Sequence, residues 1–237
     1  MSSRDAILQR IRSGLGNAAA AGFGDVCEPP VPEVWPRTSA EPSALLPQFQ
    51  AELKLLNGEA IHCPTMADAR RQLAQLMKAA AWARLGSLDC PLTRELTADL
   101  QSSRHGVPAC GSCAVSSADR IDWVTSDWTA QRIEQLPAGL ITADALLADT
   151  GSCVVHCATA HERLMCYLPP ACVVVARLDQ LAEHLPAAWG PISAACTAKD
   201  SRGEIVLITG PSRTADIEKI LILGVHGPKR LVVLVVG

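Results

Sequence analysis

The sequence predicts an α/β fold, a mostly parallel sheet covered by helices, with a helical arm ahead of it. Three observations carry that expectation. The last third holds three near-unbroken β-branched or aliphatic runs, at 171–176, 204–209 and 231–236. Strands of that composition are buried on both faces, as in a parallel sheet covered by helices. Strand-like and helix-like patterns alternate from residue 59 onward. Hydrophobic residues make up 49% of the 237 and charged residues 19%, which supplies a sizeable core; with aromatics at 3%, that core must be aliphatic.

Taken in order, Ile7, Leu8, Ile11 and Leu15 share one helical face, with Ser2 and Asp5 as a capping box. Gly14 and Gly16 disturb that helix, and 17–42, rich in Ala, Gly and Pro, reads as a linker or irregular arm. A second helix carries Leu45, Leu46, Phe49, Leu53 and Leu56, and Asn57-Gly58 stops it, since both residues tolerate the left-handed conformation. The chain thus divides into an arm, 1–42, and an α/β domain, 43–237. Residues 59–63 form a short strand. Thr65 and Asp68 open a helix that buries Ala69, Leu73, Leu76, Met77 and Ala80. Strands follow at 83–87 and 120–124, and helices at 93–102 and 127–136, the latter with Ile133 and Leu136 inward. Strands at 140–143 and 152–157 flank a turn. Helices at 178–189 and 214–221 connect the three aliphatic strands.

Several classes of function fall away. Net charge is −3 and the pI about 6.1, so no basic footprint or aromatic platform for nucleic acid exists. No aliphatic run is long enough to span a bilayer, and the N-terminus lacks the apolar core of a signal peptide, so the cytoplasm is the expected compartment. Ten cysteines are scattered through a large, core-rich chain, and most of them read as buried thiols. Cys110 and Cys113 make a single C-x-x-C without a second pair, and no thioredoxin-like context surrounds them. His156, Cys157, His161 and Glu162 are crowded, but in a regular strand His156 points away from Cys153 and Cys157. We expect neither a metal nor a cofactor.

Two constellations carry candidate chemistry. Gly210-Pro211-Ser212-Arg213-Thr214-Ala215-Asp216 follows one predicted strand and precedes a predicted helix. Backbone amides at a helix N-terminus favour an anion, Gly210 allows close approach, Ser212 or Thr214 can cap, and Arg213 can hold a carboxylate or phosphate. The plainer reading is a capped helix with a solvated arginine. The second constellation is Thr142 and Asp144 at a strand end, with Asp149, Thr150, Gly151 and Ser152 in the next turn. Two carboxylates near hydroxyls can move protons or bind a hydroxy acid, and the same residues also make an ordinary glycine turn. His226, in Gly224-Val225-His226-Gly227-Pro228, is a third proton carrier or a turn residue.

The stretch 210–218 with Leu223-Gly224-Val225-His226-Gly227-Pro228 closely resembles the lactate utilization protein C family, the LUD-domain proteins. Ile141-Thr142-Ala143-Asp144-Ala145, Asp149-Thr150-Gly151-Ser152, Leu168-Pro169-Pro170 and the opening Ile7-Leu8-Gln9-Arg10-Ile11-Arg12 match as well. The resemblance implies a fold like that of the glucosamine-phosphate isomerase, ribose-phosphate isomerase and CoA-transferase superfamily. It also implies a role in oxidising L-lactate to pyruvate with two iron–sulfur partner proteins. Where that family usually has Glu before Thr-Gly-Thr, this chain has Asp149 before Thr150-Gly151-Ser152. The expected ligand is a small anion such as lactate or pyruvate, bound through Thr142, Thr150, Gly151, Ser152, Gly210, Ser212, Arg213 and Thr214. Asp144, Asp149 and His226 are the candidate proton carriers. A stand-alone isomerase or acyl-CoA-transferase-like enzyme, and a non-catalytic scaffold for iron–sulfur partners, are the rival readings.

Overall fold

The computed structural model describes residues 3–20, 41–103, 120–198, 203–215, 221–223 and 227–237. It divides into two compact units, 1–36 and 37–237. The first contains α1 (Ser3–Ala20), which runs through Gly14 and Gly16 and takes in 17–20 of the expected linker. A helical glycine costs only about 1 kcal/mol relative to alanine, too little to break it. Ser2, and with it the predicted capping box, lies outside the described residues, as do 21–40 of the predicted linker.

In the second unit, α2 (Pro42–Leu55) buries Leu45, Leu46, Phe49 and Leu53. Asn57 then takes φ 63°, and the Gly58 amide donates to the Leu53 carbonyl at 2.9 Å, ending the helix as the Asn-Gly pair predicts. β1 (Glu59–Cys63) leads to α3 (Met66–Ala79), which starts from a true capping box. Thr65 Oγ1 accepts the Asp68 amide at 3.1 Å and Asp68 Oδ2 accepts the Thr65 amide at 3.1 Å. β2 (Arg84–Leu88) follows. The predicted helix at 93–102 is shorter and earlier: α4 (Pro91–Leu96) gives way to an edge strand, β3 (Gln101–Ser103). β4 (Arg120–Val124) and α5 (Ala130–Glu134) come next, α5 beginning at the Thr129 cap rather than at 127.

The remaining elements are β5 (Gly139–Thr142), β6 (Ala145–Leu147), β7 (Ser152–Cys157), α6 (Ala160–Met165) and β8 (Ala171–Arg177). A 3-10 turn (Leu178–Gln180), β9 (Leu181–Ala182) and α7 (Leu185–Ala198) replace the single helix expected at 178–189. The chain ends in β10 (Glu204–Ile208), β11 (Arg213–Ala215), β12 (Leu221–Leu223) and β13 (Arg230–Val236).

Among the described residues, seven strands form one all-parallel sheet in the order β1-β13-β8-β5-β2-β4-β3. Alternation along its central strands divides the interior. Leu231, Val233 and Val235 of β13 join Cys172, Val174 and Ala176 of β8 in one core, against α2, Ile133 and Met165. Val232, Leu234, Val173 and Val175 point the other way, onto Ala69, Leu73, Leu76 and Met77 of α3 and onto Leu96. Both faces are covered, which is why these strands read as unbroken aliphatic runs.

A second sheet, β10-β7-β6-β9, packs on the α2 side through Leu146, Cys153, Val155 and Cys157. Its other face, Ala145, Leu147 and Val154, is covered by Ala188 and Ile192 of α7. Here lies the main departure from expectation. The 204–209 run is not a strand of the parallel sheet: β10 pairs antiparallel with β7 at this second sheet's edge, and Leu207 is 49% exposed. Aliphatic composition alone does not separate a central strand from an edge strand. The helix predicted at 214–221 is also absent from 213–215 and 221–223, which pair as antiparallel strands, with Thr214 opposite Ile222. β-Branched residues favour that pairing over a helix.

Candidate functional site

Strand order locates one candidate site before any side chain is considered. From β5 the chain moves to β8, and from β2 it moves the opposite way, to β3, so the connections diverge between β5 and β2. In open α/β sheets, ligands bind outside the carboxyl ends of strands near such a divergence. Thr142, half-buried, ends β5 at this edge. One strand further from the divergence, on the far side of β5, β8 delivers Arg177 to the same carboxyl edge, the first charged residue after six buried ones.

Arg177 is held from two directions. Its backbone amide donates to Gln180 Oε1 at 2.6 Å, and Gln180 Nε2 donates to the Ala143 carbonyl at 2.9 Å, which ties the turn after β8 to the end of β5. Its guanidinium lies 3.6 Å from Glu95 Oε2. Arg177 also lines a cleft of about 380 Å³ with Glu41, Ser43, Asp179 and Gly237. The cleft opens at the start of α2, where Pro42 occupies the first turn and Glu41 makes no side-chain cap. Ser43 therefore presents an uncapped amide and a hydroxyl, and Pro47, lacking an N–H, has nothing to give the Ser43 carbonyl. The residues that line this space include one arginine, two acidic residues and a serine. Such a set accommodates a ligand that is at once an anion and a hydrogen-bond donor.

The predicted glycine turn builds a different region, about 15 Å away at the other end of α2. Gly151 has φ 62°, and a Cβ there would stand 2.8 Å from the Leu53 Cα and 3.0 Å from the Glu52 carbonyl carbon. Only glycine lets the turn lie on the backbone of α2. Gly210, at φ 97°, makes a similar approach, its notional Cβ 3.0 Å from Leu56 Cβ. Between these two glycines runs a chain of hydroxyls. Ser152 Oγ donates to Thr150 Oγ1 at 2.8 Å, and Thr150 Oγ1 donates to Asp149 Oδ1 at 3.2 Å. Ser152 has one proton and has spent it, so across the 2.7 Å contact with Thr209 it is Thr209 that donates. The direction is forced, from Thr209 to Ser152 to Thr150 to the carboxylate.

The structure brings the glycine turn together with a residue the sequence analysis did not name. Ser152 meets Thr209, the residue just before the predicted 210–216 motif. Arg213 is exposed and opens β11, and Thr214 continues the same strand, so these residues form no helix N-terminus. The Ser212 amide donates to the Pro228 carbonyl at 2.8 Å, and a Cβ on Gly227 would lie 3.0 Å from Ser212 Cβ, so the two parts of the C-terminal motif are neighbours. Asp144 is engaged in holding the second sheet, since its Oδ2 accepts the His156 amide at 2.7 Å and anchors β7. His226 and the Cys110/Cys113 pair lie outside the described residues.

The crowded 156–162 segment resolves into helix capping. Thr159 Oγ1 accepts the Glu162 amide at 3.4 Å, and Glu162 Oε2 accepts the Ala158 amide at 2.7 Å. Among the described residues, no three His, Cys, Asp or Glu side chains converge as a metal requires. None of their helices is long and apolar enough to cross a membrane. Of the six cysteines whose side chains are described, five are buried, as expected. The sequence analysis did not single out Arg177 or Ser43 of the cleft, although the first charge after an unbroken strand was a usable signal for the former.

Comparison with known proteins agrees with this architecture. The profile of the LUD domain matches residues 46–236. Lactate utilization protein C of Halalkalibacterium halodurans is 33% identical over 124 residues, covering 48% of this chain and 50% of that protein. An uncharacterized protein, YkgG, of Escherichia coli is 34% identical over 112 residues, covering 44% and 45%. The matched part therefore spans about half the length of these curated relatives. The crystal structure of a DUF162 family protein from Deinococcus radiodurans superposes with a TM-score of 0.54 at 17% identity, over 84% of this chain and 99% of that one. At that identity the likeness speaks for the fold alone.

Proposed function

Because the chain belongs to the LUD domain family, we propose that it serves a lactate-utilization system as the subunit that binds a small 2-hydroxy acid in the cleft at the carboxyl ends of β8 and β13. The observation that carries this reading is the composition of the cleft: Arg177 against Glu41, Asp179 and Ser43. L-Lactate offers one carboxylate and one hydroxyl donor. Its carboxylate would pair with the Arg177 guanidinium and the Ser43 amide, while its hydroxyl would donate to Asp179 or Glu41. Pyruvate lacks the donor and would leave those carboxylates facing a carbonyl oxygen, so lactate is the preferred ligand. The relatives named lactate utilization protein C support the substrate class. Oxidation of the bound lactate would pass its electrons to two iron–sulfur partner proteins, with this chain supplying binding and orientation.

Calorimetry on the full chain tests the reading. L-Lactate should bind more tightly than pyruvate, and Arg177→Ala should weaken lactate binding about tenfold or more, since a charge-assisted hydrogen bond contributes roughly 1.5–3 kcal/mol. Arg213→Ala should leave the affinity unchanged. Equal lactate affinity in a folded Arg177→Ala variant overturns the assignment of the cleft. Failure to co-purify with iron–sulfur proteins from cells growing on lactate would overturn the assembly instead.

A further inference from the structure

Two thiols meet inside the core where β7 and α6 both end. Cys157 closes β7 and Cys166 is the C-terminal cap of α6; their Sγ atoms lie 3.8 Å apart, and the residues are 2% and 3% exposed. Cys166 Sγ is also 3.5 Å from the Glu162 carbonyl, so in the neutral pair Cys166 donates to that carbonyl and Cys157 donates to Cys166. Loss of the Cys157 proton leaves the Cys166 S–H free to turn onto the new thiolate. We propose that Cys157 and Cys166 form a reversible intramolecular disulfide, with a small hydroperoxide as oxidant and a low-molecular-weight dithiol as reductant.

The geometry asks for little movement. A disulfide needs its sulfurs about 2.05 Å apart, so the pair must close by less than 2 Å, which side-chain rotation and a small shift of a short helix can share. α6 has six residues and is held to the second sheet by the Arg163–Glu204 ion pair, so local opening of this helix gives a small oxidant access. Acidity is divided between the partners. The hydrogen bond from Cys166 lowers the Cys157 pKa, against burial and the carboxylates of Glu162 and Asp144, which push it up. Cys166 is held protonated by that same bond, then by burial. An attacking thiolate beside a protonated resolving thiol is the arrangement oxidation requires. Cys153 and Cys172 share the core, but no thiol hydrogen bond lowers either of them, and burial pushes the Cys172 thiol up to about 12.

The chemistry balances in two steps. The Cys157 thiolate attacks one hydroperoxide oxygen, the O–O bond breaks, and water or an alcohol leaves after taking up a proton, which makes Cys157 a sulfenic acid. The Cys166 sulfur then attacks the Cys157 sulfur; the S–O bond breaks, S–S forms, and water departs with the Cys166 proton. Two thiols lose two electrons and two protons, and the peroxide gains both. A dithiol reverses the change by exchange.

The test uses the reduced, folded full chain exposed to hydrogen peroxide, quenched with iodoacetamide and mapped by mass spectrometry. A dithiothreitol-sensitive Cys157–Cys166 cross-link is expected, and in Cys166→Ser the reaction should stop at a Cys157 sulfenic acid that dimedone traps. The half-buried Cys90 reports that the oxidant was active. Oxidation of Cys90 with Cys157 and Cys166 both alkylated overturns the proposal. So does a cross-link that appears only in urea, or one that joins Cys153 to Cys172.

Discussion

Replacing Gly151 by alanine should be among the most damaging single-atom additions to this protein, and the cost can be worked from its surroundings. The residue has φ 62°, where an L-side chain costs about 1–2 kcal/mol. Its Cβ would then press on main-chain atoms of α2: the Leu53 Cα at 2.8 Å, the Glu52 carbonyl carbon at 3.0 Å, and the Leu53 nitrogen closer still. Backbone in the last turn of α2, closed by the Leu56 and Gly58 amides on the Leu53 carbonyl, cannot swing aside as a side chain does, and overpacking of this kind adds about 1–3 kcal/mol. Gly151→Ala should therefore lose about 2–5 kcal/mol, the sum of these two costs. Urea unfolding followed by far-ultraviolet circular dichroism measures it, with Gly190→Ala as control. Gly190 sits in α7 with nothing within 4 Å of a notional Cβ, and its replacement should leave the midpoint unchanged or slightly raised. A Gly151→Ala protein with an unfolding midpoint equal to the parent's would refute the close seat of this turn on α2. It would also remove the reason for the hydroxyl chain to stand where it does.

The hydroxyl chain and the α3 cap offer two further checks. Ser152→Ala removes the buried link between Thr150 and Thr209 and should cost about 1 kcal/mol, because both partners are exposed and can turn to water. A loss above about 3 kcal/mol would mean that those partners are more deeply desolvated than their positions indicate. Thr65→Ala should cost about 1 kcal/mol of stability by removing the N-cap. In the parent, the Thr65 hydroxyl, chiefly, and the Arg71 guanidinium hold the Asp68 carboxyl below its usual 3.8. A depressed carboxylate stabilises the fold above its unfolded value, and that contribution is lost as pH falls through the lower folded value. An NMR titration of Asp68 should therefore show its pKa rising towards 3.8 in Thr65→Ala. An unmoved titration would contradict the dominance of the Thr65 hydroxyl.

Local features were legible in the sequence, and their assembly was not. The Asn57-Gly58 stop, the Thr65/Asp68 cap and the glycine turn at 149–152 each depend on residues a few positions apart, so pattern alone located them. Arg213 looked like an anion ligand because a helix was expected behind it; residues 213–215 and 221–223 instead pair as β11 with β12, and Arg213 is exposed. Arg177 attracted no notice because its neighbours in the cleft, Ser43 and Gly237, lie more than a hundred positions before it and sixty positions after it.

What the sequence determined by itself is the class of the fold, since an unbroken aliphatic strand can satisfy both of its faces only when helices cover the sheet from each side, as β8 and β13 show. Tertiary structure alone decided which aliphatic run joined which sheet. β10 and β13 are alike in composition, yet β10 pairs antiparallel at an edge while β13 lies parallel in the centre. Hydrogen-bond partners and burial are properties of the strand beside a segment, and the identity of that neighbour is settled only when the chain closes on itself.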